Sequence, residues 1–160
     1  MIKAVMVMNT QGKSRLAKFY EYLSVEKQQE LIRGVFSVLC SRAENDSRLV
    51  YKHFATLYFV FVFDSSENEL AVLDLIQVFV ETLDKCFQNV CELDIVFNYS
   101  KIHTILDEMV FGGQVVETSS SEIMKAVEEI SKCFLSPFLL SCVKMHVDDV
   151  RFSTFALFLI

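Results

Sequence analysis

Apolar residues run unbroken from Ala4 to Met8, with Ile2 ahead of them, and then give way to the turn-forming Asn9-Thr10-Gln11-Gly12. Between Lys13 and Tyr22, Leu16, Phe19 and Tyr20 resume the apolar pattern, so the chain is expected to open with a β-hairpin. Ser24 then reads as a helix N-cap before the good helix formers Glu26 to Glu30. Leu31, Ile32, Val35, Phe36 and Leu39 recur at helical spacing until Ser41-Arg42, and Gly34 weakens that helix by roughly 1 kcal/mol relative to alanine. Leu49 to Phe63 predicts one or two strands, and the wholly apolar Phe59-Val60-Phe61-Val62-Phe63 predicts a strand covered on both faces.

Asp64-Ser65-Ser66 is expected to cap a long helix over about 67–87. Its core stripe is Leu70, Leu73, Ile76, Val80, Leu83 and Phe87, widened by Leu75, Val78 and Phe79, so it should pack on more than one neighbour. Asn89 to Tyr99 reads equally as a strand or a short helix. Ser100 caps a helix carrying Ile102, Ile105, Leu106 and Met109, with Gly112-Gly113 expected to end it. A last helix begins near Thr118 to Ser121, with Ile123, Val127 and Ile130 inward. From Cys133 to Ile160 the chain is hydrophobic without helical period, and Pro137 interrupts any continuing helix. Strands, helix, strands, helices is the order of an α+β fold, an antiparallel sheet with helices packed on it.

Composition narrows the class. At 160 residues and 52% apolar content the chain is one folded domain rather than a disordered segment. Fifteen Lys and Arg against 21 Asp and Glu leave a formal charge of −6, the wrong sign for a phosphate backbone, so nucleic acid is not expected as a partner. Fifteen Phe and no Trp point to a core of Phe and aliphatics. The five cysteines, Cys40, Cys86, Cys91, Cys133 and Cys142, include no CxxC pair and read as reduced thiols. The apolar start, Met1 to Met8, reads as a strand rather than a signal peptide, and Phe152 to Ile160 is too short to cross a bilayer.

Candidate chemistry is sparse. Gly12-Lys13-Ser14 looks like the end of a phosphate-binding loop, but Val7 stands where that motif requires its first Gly, and the turn leads into a strand. His53, His103 and His146 have no partners at metal spacing, and neither Glu92 with Asp94 nor Asp107-Glu108 makes an acid/base constellation. No catalytic motif is present, and no cofactor or metal is implied. These residues favour a binding or scaffolding domain over an enzyme.

Leu49-Val50-Tyr51-Lys52 followed, after four residues, by Leu57-Tyr58-Phe59 resembles the signature of the clathrin-adaptor small (sigma) chains. Met1-Ile2-Lys3, Asn9, Gly12-Lys13, Arg15 to Tyr20 and Asn89 to Phe97 are similar to the same family, and Asp74 to Phe87 most resembles its type-3 branch. The resemblance covers about residues 1–132 and sets off residues 133–160 as an atypical hydrophobic tail. It implies a longin-like (profilin-like) domain, a five-stranded antiparallel sheet with helices on both faces, its first long inter-strand segment shortened around Glu44 to Arg48. It further implies a place beside two large and one medium adaptor subunits, on Golgi or endosomal membranes and transport vesicles, in transport towards vacuole or lysosome. Sigma chains of this family help bind acidic dileucine cargo signals. By that resemblance Ala55, Leu57, Val80, Val90 and Ile95 fall at leucine-pocket positions, Asn89 supplies a polar group near the peptide, and Arg15 matches the basic residue near the signal's acidic position. A different longin-domain trafficking module, a SNARE regulatory domain or tethering subunit, is the alternative, although the tail lacks the heptads a SNARE requires.

Overall fold

The computed structural model describes residues 1–40 and 48–134. Residues Met1–Met124 form one compact unit, and a second begins at Lys125 within the last helix. The order is β1 (Ile2–Asn9), β2 (Ser14–Phe19), α1 (Val25–Cys40), β3 (Arg48–Phe54), β4 (Leu57–Phe63), α2 (Glu69–Phe87), α3 (Glu92–Phe97), α4 (Tyr99–Met109), β5 (Val110–Phe111), β6 (Gln114–Val115) and α5 (Ser120–Phe134). The shortened segment near Asn45 and the tail beyond Phe134 lie outside the described residues.

Four strands make an antiparallel sheet in the order β2-β1-β4-β3, with β5 and β6 forming a separate two-stranded ladder. The resemblance implied five strands in one sheet; among the described residues the main sheet has four. The central strands β1 and β4 are buried on both faces, as the unbroken apolar run of β4 predicted. Alternation then divides their side chains between two cores. Ala4, Met6, Met8, Val60 and Val62 pack with Val35, Leu31, Ile32 and Phe36 of α1. Phe59 and Phe61 turn the other way, onto the Phe79 ring of α2, at centroid separations of 5.8 and 6.4 Å. Each fully buried large side chain contributes roughly 1.5–3 kcal/mol. The wide apolar stripe of α2 is explained by this duty: Val72, Leu75, Ile76, Phe79, Val80 and Leu83 are all buried.

Several local expectations change or are decided. The N-cap of α2 is Asn68, whose Oδ1 accepts from the Leu70 N–H at 2.9 Å. Asp64 instead accepts from the Met1 ammonium at 2.6 Å, and the Asp64 backbone N–H reaches the Met1 carbonyl at 3.1 Å. These bonds draw the residues expected to cap the helix back towards the start of β1. Gly112-Gly113 does not end α4; both residues have positive φ and form the β5–β6 turn. Gly113 also lies against β1, where its carbonyl accepts from the Ile2 N–H at 2.8 Å. The ambiguous stretch after Asn89 resolves as a short helix, α3.

Between β2 and α4 sits a half-buried polar cluster. Lys18 pairs with Asp107 and donates to the His103 carbonyl at 3.5 Å. The His103 ring lies 4.1 Å from that of Tyr99, centroid to centroid. Its Nε2 and the Tyr20 hydroxyl are buried without a hydrogen-bond partner among the described residues. Burial first, then the Lys18 charge, push the His103 pKa below the ordinary value, against an opposing pull from Asp107.

Two predictions follow from these contacts. A Cβ at Gly34 meets nothing within 4 Å, whereas at Gly113, with φ +83°, it would sit 2.5 Å from the Ile2 carbonyl oxygen. In urea denaturation, Gly34→Ala is expected to stabilise by about 0.5–1 kcal/mol and Gly113→Ala to destabilise by about 1–3 kcal/mol. For His103, the folded state takes up a proton less readily than the unfolded chain, so stability is lost as pH falls from about 6.5 through the lower folded value. His103→Phe keeps a ring against Tyr99, and its urea midpoint should fall less than that of the parent between about pH 7.5 and about pH 5.

Candidate functional site

Both hairpin reversals of the sheet fall at one end, because Asn9, the last residue of β1, pairs with Leu57, the first of β4. Asn9 organises the β1–β2 turn from its side chain. Its Oδ1 accepts from the backbone N–H of Gln11 at 3.1 Å and of Lys13 at 2.9 Å. Gly12 completes the turn with φ +78°, and the Phe36 ring lies 2.7 Å from where a Cβ would be. The Asn9 amide faces the other way and donates from Nδ2 to Glu92 Oε1 at 3.2 Å.

Arg15 joins the same carboxylate. Pairing along β1–β2 runs Val7 with Leu16 and then Met8 with Ser14, so Arg15 is the extra residue of a β-bulge. Strict alternation from Ala17 and Phe19, which pack under α1, would turn Arg15 to the α1 face. The bulge re-aims it, and its Nε donates to Glu92 Oε1 at 2.5 Å. Both side chains are about three-quarters buried, Arg15 at 23% and Glu92 at 28% exposure.

Glu92 is carried to this corner by a constrained linker. Gln88 closes α2 in the left-handed region, its N–H bonded to the Asp84 carbonyl at 2.8 Å, and Asn89 follows with φ +70°. Asparagine tolerates that conformation better than most residues. The Asp84 carboxylate then accepts from the Val90 N–H at 3.0 Å. Asp94 reaches back to the Cys91 N–H at 2.8 Å, starting α3, and that backbone donor holds the Asp94 carboxyl below the usual carboxylate range.

The sequence-predicted residues therefore occupy distinct settings. Arg15, Leu57 and Ile95 converge on this corner: Leu57 is 2% exposed and pairs with Asn9, and Ile95, 0% exposed, lies one turn beyond Glu92 in α3, which packs on β2. Asn89 and Val90 form the linker into α3, exposed and half-buried respectively. Ala55 stands on the adjoining β3–β4 turn, exposed and with φ +52°. Val80 is set in the buried stripe of α2, two turns before its end. Sequence reasoning passed over Asn9 and Glu92 as site residues. The signal for Asn9 was its place at the junction of an apolar run and a turn; nothing local marks Glu92.

The arrangement sets a guanidinium, paired with one carboxylate, beside apolar side chains. Among the described residues no group of three or more His, Cys, Asp or Glu could hold a metal ion. No described helix is long and apolar enough to cross a membrane. A cleft of about 450 Å³ between α1 and β1, lined by Lys3, Glu21, Leu31 and Gly34 among others, includes none of these candidate residues.

The family of the clathrin adaptor complex small chain matches residues 1–133. The chain belongs to that family. Relatives of this small chain include the AP-3 complex subunit sigma of Arabidopsis thaliana, 72% identical over 94% of this chain and 99% of that one. The AP-3 complex subunit sigma of Dictyostelium discoideum is 47% identical over 85% and 92%. The human AP-3 complex subunit sigma-2 is 50% identical over 80% and 74%. A chain in a homology model of the full-length AP-3 complex in a stretched open conformation is similar in structure, with TM-score 0.67 and 38% identity over 85% of this chain and 96% of that one. The longin-like α+β architecture agrees with this membership.

The burial of these apolar candidate residues is directly measurable. Ile95→Ala is expected to cost about 2–5 kcal/mol in urea denaturation, because it opens a cavity under α3. Val90→Ala, at a half-buried linker position, should change stability by less than about 1 kcal/mol in the same assay.

Proposed function

We propose that this chain is the sigma subunit of an AP-3-type adaptor complex, built in beside two large chains and one medium chain, and that it acts in vesicle-mediated protein transport from Golgi or endosome to vacuole or lysosome. The observation that carries the reading is similarity along nearly the whole of a sigma chain, 99% of the Arabidopsis relative. Surface chemistry supports assembly with other chains: Phe97 is 78% exposed and Phe111 73%, and large apolar side chains so exposed favour burial against a partner. Its work is recognition and scaffolding rather than catalysis, and membrane association is peripheral, through the assembled complex.

Within that complex the sheet corner receives acidic dileucine signals. Ala55 at the hairpin tip and the half-buried Val90 are the apolar groups offered to the two leucines, over the buried Leu57, Val80 and Ile95. Asn89 is the polar group near the peptide backbone, and Arg15 takes the acidic residue upstream. Support for this comes from the bulge, which turns the Arg15 side chain to the end of the sheet where Leu57 begins β4. A guanidinium suits a carboxylate or phosphate because it offers several donors in one plane.

The test is binding of a fluorescent acidic dileucine peptide to the four-chain complex reconstituted with this subunit. Arg15→Gln should weaken binding by about tenfold or more, the value of a charge-assisted hydrogen bond, while assembly is kept. Unchanged affinity in an intact complex would remove Arg15 from the site.

A further inference from the structure

We infer that Glu92, anchored by Asn9, is the residue that positions Arg15 for its anionic ligand. The inference rests on the reading of Arg15 as the group that takes the signal's acidic residue. A single carboxylate oxygen, Glu92 Oε1, accepts from both Asn9 Nδ2 at 3.2 Å and Arg15 Nε at 2.5 Å. Asn9 is itself immobilised, 6% exposed, with its Oδ1 committed to the N–H groups of Gln11 and Lys13. A rigid turn therefore holds the amide, the amide holds the carboxylate, and the carboxylate holds the guanidinium by its inner edge.

Engagement through Nε uses neither terminal Nη group of Arg15, so both remain available to a ligand. That edge presents two roughly parallel N–H donors, the geometry that a carboxylate or phosphate accepts in bidentate fashion. An arginine on a flexible stem would lose rotamer freedom on binding; one already held by its Nε loses less. The paired Glu92 also cancels the Arg15 charge at long range. Recognition at this corner then depends on hydrogen-bond direction more than on net attraction, as suits a chain of formal charge −6.

The experiment compares Glu92→Ala with Glu92→Gln in the reconstituted four-chain complex, using the fluorescent acidic dileucine peptide and a titration of salt. Glutamine keeps an oxygen that can accept from Nε, whereas alanine removes the anchor. The expected result is a five- to tenfold loss for Glu92→Ala, binding within about twofold of the parent for Glu92→Gln, and a steeper salt dependence for Glu92→Gln because the Arg15 charge is no longer cancelled. Tighter binding in both variants would overturn the inference, since the carboxylate would then be competing with the ligand. No change in Glu92→Ala, or an equal loss in both, would overturn it as well. Thermal melting and co-purification of all four chains establish that each variant is folded and assembled. Arg15→Gln, run alongside, separates the two claims: if it binds like the parent, the reading of Arg15 fails, and if it loses binding while Glu92→Ala does not, the positioning role alone fails.

Discussion

Antiparallel pairing of β1 with β4, two strands apolar on both faces, is the constraint from which the described structure follows. A sheet whose middle strands have no polar face cannot leave either side to water, so both must be covered. The amphipathic α1 covers one face through Leu31, Ile32, Val35 and Phe36. The more apolar α2 covers the other, its Phe79 ring meeting Phe59 and Phe61. The same pairing sets Asn9 opposite Leu57 and so gathers both hairpin turns at one end of the sheet. The candidate site is a consequence of that register.

At this end the polar groups are arranged by chain reversal. Backbone donors released by the β1–β2 turn are taken up by the Asn9 side chain, and those at the close of α2 by the Asp84 carbonyl and carboxylate. Buried polar groups need partners, and each turn supplies them locally. What remains is the outward-facing part of each hub: the Asn9 amide on one side, and on the other the linker that delivers Glu92. Arg15 connects the two because a bulge takes it out of the alternation that governs its neighbours. A scaffold is thus rigid where it meets charge and apolar where it adjoins Leu57 and Ile95, a combination suited to a short peptide with an acidic residue and two leucines.

Edge strand β2 draws both of its described inward cations to acids on the helices beyond it, Arg15 to Glu92 and Lys18 to Asp107. The Arg15–Glu92 pair is partly buried on both sides and holds direction better than exposed pairs, whose contribution is near zero to about 1 kcal/mol. They also occupy side chains on a sheet edge, which otherwise invites pairing with another chain.

Hydropathy alone determined much of this protein. The buried central strands, the amphipathic α1, the wide stripe of α2 and the helices at Ile102 to Met109 and after Thr118 are local patterns, since period and length are written in neighbouring residues. The spaced motif from Leu49 to Phe59 was likewise legible, and it pointed to the family, although of the candidate site it holds only Ala55 and Leu57. Only tertiary structure decided which residues meet. Arg15 and Glu92 stand 77 positions apart, and Asn9 and Glu92 83, distances over which no periodicity reaches. The bulge at Arg15, the capture of Asp64 by the Met1 ammonium and the recruitment of Gly113 to β1 arise for the same reason. Each is set by strand register and by groups far along the chain, and a local pattern that fits several partners equally well cannot choose among them until the sheet has closed.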